Sequence, residues 1–134
     1  FCKDRGIEVV AYSPMGMGLL SGKYEKAGDL DDARSNLFCF KEPCVGAYGR
    51  LLETLKEVAL AHNVPCSAIA LAWTASCGVE HVVIGARNAE QLESDISALD
   101  IRLDEGEILA LKQAGDELAE CSRQVCDNIF SYKW

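Results

Sequence analysis

The sequence has no uninterrupted apolar stretch near the roughly 18–20 residues that a membrane span needs, no C-x-x-C pair, and fewer basic than acidic side chains. The first absence excludes a transmembrane helix. The second, with the cysteines following no metal pattern, leaves no recognisable metal site. The third, 13 Lys+Arg against 21 Asp+Glu for a formal charge of −8, argues against general nucleic-acid binding, which rests on cations neutralising phosphates. Local basic positions can still hold a small anion. Low hydrophobicity, the mark of a disordered chain, is missing too. The 134 residues are 49% hydrophobic and 25% charged, the composition of an ordinary globular sequence of about one domain.

Cysteine is present but unpatterned. Cys2, Cys39, Cys44, Cys66, Cys77, Cys121 and Cys126 are an odd number, and the nearest pairs stand five apart. They read as structural thiols, small hydrophobes suited to burial, and free thiols fit a reducing compartment. The expected location is intracellular and soluble, with cytoplasm and plastid not distinguished. No basic-apolar leader opens the sequence. Phe-Cys-Lys-Asp-Arg-Gly at residues 1–6 reads as the end of a helix.

Ile7 to Tyr12 is a short β-branched apolar run bracketed by Gly6 and Ser13-Pro14, the pattern of a buried parallel strand. The residue before proline favours extended geometry, so Ser13 is expected to close it. Met15 to Tyr24 follows as a loop carrying Gly16, Gly18 and Gly22. Glu25 to Pro43 is polar and aperiodic, and a loop that long is more often functional or mobile than incidental. From about Val45 to His62, Leu51, Leu52, Leu55, Val58 and Ala59 form one apolar stripe of an amphipathic helix, ended by Asn63 and Pro65. Ser67 to Ser76 is nearly all apolar, a helix buried on most sides that Gly78 stops. His81 to Ile84 reads as a second strand. Asn88 with Gln91 predicts a capped helix through about Leu99, and Asp104 with Glu107 another to about Leu118. A tail of mixed character, residues 121–134, follows a domain spanning 1–120.

Strands separated by helices imply a parallel sheet built from crossovers. Two such strands alone leave edges and an apolar face open. Both post-strand loops have the makings of an anion site, because ligands of α/β folds lie at the carboxyl ends of parallel strands. The first loop supplies glycine backbone, hydroxyls at Ser13 and Ser21, and a cation at Lys23. The second supplies a helix N-terminus with Arg87, whose planar fork suits phosphate or stacking. Two phosphate-friendly loops side by side point to a dinucleotide. The G-x-G-x-x-G fingerprint does not occur.

The run Gly6-Ile7-Glu8-Val9-Val10-Ala11-Tyr12-Ser13-Pro14-Met15-Gly16-Met17-Gly18-Leu19-Leu20-Ser21-Gly22-Lys23-Tyr24 resembles the aldo-keto reductase segment G-I-x-V-x-A-Y-S-P-L-x-x-G-L-L-T-G-K-Y. Ile84-Gly85-Ala86-Arg87-Asn88-Ala89-Glu90-Gln91-Leu92 is similar to that family's I-P-G-A-R-N-P-E-Q-L, and Ala68 to Trp73 matches the apolar helix between them. The resemblance covers roughly residues 1–118. The tail's Asn128-Ile129-Phe130 also resembles the ending of a plant and algal branch.

The resemblance implies an α/β fold that is part of a (β/α)8 TIM barrel, here the last two βα units and the C-terminal helix. It also implies NADP(H) bound across the strand ends and a small aldehyde or ketone as substrate of the whole enzyme. By position, Tyr12 is expected to stack on the nicotinamide, Ser13, Met15, Leu20, Ser21 and Lys23 to line the pyrophosphate, and Gly85, Arg87 and Gln91 to hold the adenosine. Ile84 and Ala89 stand where the family has proline, and Ser94 and Asp95 replace its Glu-Asn pair. A carboxylate at Asp95 can accept from an adenine amino group while adding negative charge near the phosphates. The family's catalytic tyrosine, lysine, aspartate and histidine lie in the first half of the barrel, and neither His62 nor His81 matches a catalytic position. No catalytic residue is therefore assigned. The expectation is the cofactor-binding C-terminal half of a reductase, and the alternative is a non-catalytic NADP(H)-sensing subunit of the same fold.

Overall fold

The computed structural model describes residues 1–125. It is an α/β arrangement dominated by helices. A short 3-10 turn, Lys3–Arg5, is closed by Gly6 in the left-handed region at φ 63°, so the opening residues do carry a helical ending. Strand β1 (Val10–Ala11) pairs in parallel with β2 (His81–Val82), in the register Val10 to His81 and Ala11 to Val82. Between them lie helices α1 (Val45–His62) and α2 (Cys66–Ser76), and after them α3 (Ala89–Ile96) and α4 (Glu105–Val125). No single helix among the described residues is long and apolar enough to cross a membrane.

The strands are shorter and barer than their sequence predicts. Val9 O accepts from Glu80 N–H and His81 N–H, both at 3.2 Å, and Ala11 O accepts from Val83 N–H at 3.0 Å. Val10 is 56% exposed and Ile7 48%, so the expected burial of this run is corrected. A parallel pair buries its side chains only when both faces are covered, and here the helices cover one. Ser13 is corrected as well. It adopts φ 54° instead of an extended conformation, because its carbonyl accepts from Gly16 N–H at 2.8 Å and starts a turn.

The helices follow the sequence closely. Asn63 ends α1 in the left-handed region at φ 53°, a conformation asparagine tolerates better than most residues. Helix α2 is almost wholly apolar because it is packed on two sides. Ile69 and Ala70 join the main core with Leu51, Leu55, Leu111 and Ala114. Ala68 and Leu71 face a smaller cluster with Ala98, Met15, Val82 and Ile84 under the strands. Both capping pairs form. Gln91 N–H donates to Asn88 Oδ1 at 2.8 Å. Glu107 N–H donates to Asp104 Oδ1 at 2.8 Å while Glu107 Oε2 accepts from Asp104 N–H at 2.9 Å. The same Glu107 carboxylate meets His62 Nε2 at 2.8 Å and ties the end of α1 to the start of α4.

Helix α3 passes into a 3-10 turn over Ser97–Asp100. Helix α4 runs to Val125 instead of ending near Leu118. The extra turns are held by a disulfide between Cys44 and Cys121, with Cα atoms 5.5 Å apart and a sequence separation of 77. Two of the seven cysteines are thus not free thiols, which corrects the reading of all of them as such. Among the described residues Cys2, Cys39, Cys66 and Cys77 are free, and burial pushes the Cys39 thiol up to about 11. Cys126 and the Asn128-Ile129-Phe130 ending lie outside the described residues.

The Glu25–Pro43 segment is not a plain loop. It folds as three 3-10 turns, Ala27–Asp29, Ala33–Asn36 and Phe38–Phe40, and buries Leu37 and Cys39 in the main core. Phe40 meets the Tyr48 ring edge-on, with centroids 5.3 Å apart.

Candidate functional site

The loop after β1 is coiled by its own backbone. Gly18 N–H and Leu20 N–H donate to Met15 O at 3.0 and 3.1 Å, and Ser21 N–H donates to Gly18 O at 3.1 Å. Ser13 and Met17 take positive φ without being glycine, a strained geometry that clusters at ligand sites. Gly22, at φ 77°, lies where a Cβ would stand 2.9 Å from Cys66 Sγ, so a side chain there would push the loop off the start of α2. From below, the buried Tyr48 hydroxyl shares its hydrogen between Leu19 O at 3.1 Å and Tyr24 O at 2.7 Å. One phenol thereby pins both ends of the stretch that carries Ser21 and Lys23. Burial pushes the Tyr48 hydroxyl pKa upward, so it stays a donor.

Val83 and Ile84 lead from β2 directly into Gly85, Arg87 and the N-terminus of α3, so both post-strand loops open at one end of the sheet. Between them is a cleft of about 860 Å³, within the range of small-molecule sites. Nine of the ten residues expected from sequence line it: Tyr12, Ser13, Met15, Ser21, Lys23, Gly85, Arg87, Gln91 and Asp95. The tenth, Leu20, packs against the helical core instead. Tyr12 is 76% exposed at the rim, a ring with an open face. Gln91 spends its side-chain oxygen locally, accepting from Arg87 N–H at 3.1 Å.

The cleft has three cations of two kinds. Lys23 and Arg87 have no carboxylate partner among the described residues, whereas Arg34 is fully engaged. Its Nη2 donates to Asp32 Oδ2 at 2.7 Å, its Nε to Asp32 Oδ1 at 3.0 Å, and its Nη1 to Met17 O at 2.9 Å. The guanidinium also lies 5.1 Å from the Tyr24 ring centroid. That fork holds the Asp32 carboxyl below its ordinary range, helped by Arg34 N–H. Arg34 was not legible as a site residue, because an isolated arginine in an aperiodic segment has no positional signal. The one available hint is Asp32, whose side chain caps the turn that carries Arg34.

Asp95 is the other anomaly. It is 4% exposed, it lines the cleft, and its Oδ2 finds no hydrogen-bond partner among the described residues. Burial alone pushes its carboxyl above the usual carboxylate range. A buried polar atom without a partner is costly unless something outside the protein meets it. Unpaired cations on both walls, an α3 N-terminus and an orphaned polar atom therefore fit an anionic ligand that also presents hydrogen-bonding edges, as a dinucleotide does.

The sequence also has relatives among known proteins. A sequence profile of the Aldo/keto reductase family matches residues 1–116. The chain is 31% identical over 118 residues to aldo-keto reductase str7 of Strobilurus tenacellus, covering 86% of this chain and 35% of that protein. It is 29% identical over 129 residues to the chloroplastic pyridoxal reductase of Arabidopsis thaliana, covering 96% of this chain and 33% of the relative. Against aldo-keto reductase yakc [NADP(+)] of Schizosaccharomyces pombe the identity is 25%, over 86% of this chain and 35% of the relative. The chain thus spans about a third of the length of the curated relatives it matches. On the family profile, which covers most of its length, the chain belongs to the aldo/keto reductase family.

Proposed function

We propose that this chain is the dinucleotide-binding part of an NADP(H)-dependent reductase of aldehydes or ketones, built as the last two βα units and terminal helix of a (β/α)8 barrel. The observation that carries this reading is the cleft at the carboxyl ends of both parallel strands, where Lys23 and Arg87 stand without carboxylate partners among the described residues. The bound dinucleotide supplies the hydride. Lys23 and the turn backbone around Ser21 neutralise and orient the diphosphate. Arg87 and the α3 N-terminus meet the phosphate at the adenosine end, and Tyr12 offers its open ring to the nicotinamide. Arg34, held in place by Asp32, keeps Met17 and Gly18 in position and adds positive potential to the same wall.

We assign the general acid to other parts of the barrel, because the resemblance puts the family's catalytic tyrosine, lysine, aspartate and histidine in its first half. The open faces of β1 and β2 fit neighbours in such a sheet, and a TIM barrel takes about 250 residues. The test is direct titration of the full 134-residue chain with NADP+ by calorimetry. Saturable binding that weakens about tenfold in Lys23→Ala and in Arg87→Ala, a loss of about 1.4 kcal/mol each, is the expected result. Absence of binding overturns the reading. The same chain is expected to give no carbonyl-dependent oxidation of NADPH, and turnover would place an acid within it.

A further inference from the structure

The two walls of the cleft treat charge differently. Among the described residues the loop wall is lined by no acidic side chain, and Asp32 beside it is locked to Arg34. On the α3 wall a carboxyl, Asp95, is almost fully enclosed, and its Oδ2 has neither a donor from the described residues nor exposure to water. An ionised carboxylate needs several donors or solvent around both oxygens. Around Oδ2 Asp95 has neither, so the enclosure favours the neutral acid. In that form the group has changed its chemistry. It has one O–H to donate and one carbonyl oxygen to accept, where the anion can only accept.

The surroundings do nothing to restore the charge. Of the elements packed against α3, helix α2 offers Cys66 as its one titratable side chain, and the Ser97–Asp100 turn offers Asp100, a second acid. Along α3 itself stand Glu90 and Glu93. The cations of the cleft, Lys23, Arg34 and Arg87, make no ion pair with Asp95 among the described residues. A dinucleotide entering the cleft brings further negative charge and excludes water, and both effects disfavour an ionised Asp95 still more. The purine, meanwhile, presents ring nitrogens that accept hydrogen bonds and repel a carboxylate.

We propose that Asp95 receives the purine of the dinucleotide as a neutral carboxylic acid, donating its O–H to a ring-nitrogen acceptor, so that binding takes up one proton from solvent. This rests on the dinucleotide reading of the cleft and deepens it, since it makes cofactor affinity depend on pH through one residue. The sign follows from linkage. Affinity is greatest where Asp95 is already protonated in the free chain and falls as pH rises above that point, by up to about tenfold per pH unit, until the pKa of the complex is passed.

Calorimetric titration with NADP+ at about pH 5 to 8, in pairs of buffers with different ionisation enthalpies, reads the protons taken up. The intact chain is compared with Asp95→Asn, which keeps a donor and cannot ionise, and with Asp95→Ala, which has none. The comparison cancels the titration of the ligand's own 2′-phosphate. Expected are uptake by the intact chain in excess of both variants, an Asn variant that binds at least as tightly at the upper end of the range, and an Ala variant weaker than the intact chain at the lower end. Saturable binding with the same proton count in the intact chain and the Asn variant overturns the proposal but leaves the dinucleotide reading standing. So does affinity that rises with pH only in the intact chain, the behaviour of an ionised Asp95 accepting from the amino group. Failure of all three proteins to bind NADP+ at any pH overturns both.

Discussion

The helical side of this molecule and its strand side are made from equally apolar sequence and have opposite fates. On the helical side Leu55, Ile69 and Leu111 are essentially inaccessible, and α1 is fixed to α4 by the Cys44–Cys121 bridge at one end and by His62 and Glu107 at the other. On the strand side Ile7, Val10, Tyr12 and Val83 stand open, held by a few backbone hydrogen bonds. The difference teaches that stability and ligand chemistry are divided here. The packed helices supply a rigid base, and the loops that face the ligand are carried on the least buried part of the chain. The buried Tyr48 hydroxyl ties the two by hydrogen bonds to Leu19 O and Tyr24 O.

Three experiments break or sharpen that division. Leu111→Ala removes a side chain from the centre of the helical core and is expected to cost about 2–5 kcal/mol in urea unfolding, whereas Val10→Ala, half exposed on β1, is expected to cost less than about 0.5 kcal/mol. Similar losses at the two sites would show the regions to be equally packed. Reduction of the Cys44–Cys121 bridge is expected to lower stability by about 2–4 kcal/mol, read as a shift of the unfolding midpoint with and without a dithiol. A Cys44→Ser/Cys121→Ser double variant insensitive to the reductant is the matching control. An intact chain whose midpoint ignores the reductant would remove the bridge from the account. Tyr48→Phe leaves Leu19 O and Tyr24 O without their donor and is expected to cost about 1–3 kcal/mol. Its more telling sign is faster amide exchange over residues 19–24, with the exchange of α4 changed only by the global loss. Unchanged exchange in that stretch would sever the link between base and loop.

How far sequence reached differs by element for physical reasons. Helices α1 to α4 were legible because periodicity and capping pairs act locally, and the structure repeats them at Asn63, Asn88 and Asp104. The two post-strand loops were legible as neighbours because parallel strands put both at one end. Leu37, Cys39 and Phe40 were not legible as core, since single 3-10 turns are too short to leave a period. Arg34 escaped for the same reason. Asp95 was reached only through the resemblance, at one of the positions where the family has its Glu-Asn pair, while the isolation of its Oδ2 is a result of tertiary packing.

What the sequence determined by itself is the order of elements, their capping, the parallel sense of the strands, and the residue types offered at the two loops. These follow from the conformational preferences of a few consecutive residues. The tertiary structure alone decided that the strand residues stay exposed, that Cys44 and Cys121 meet across a sequence separation of 77, and that Arg34 reaches the cleft. It also decided that one carboxyl oxygen, Asp95 Oδ2, is enclosed without a partner among the described residues. Each of these depends on surfaces brought together from distant parts of the chain, where packing and desolvation set the outcome.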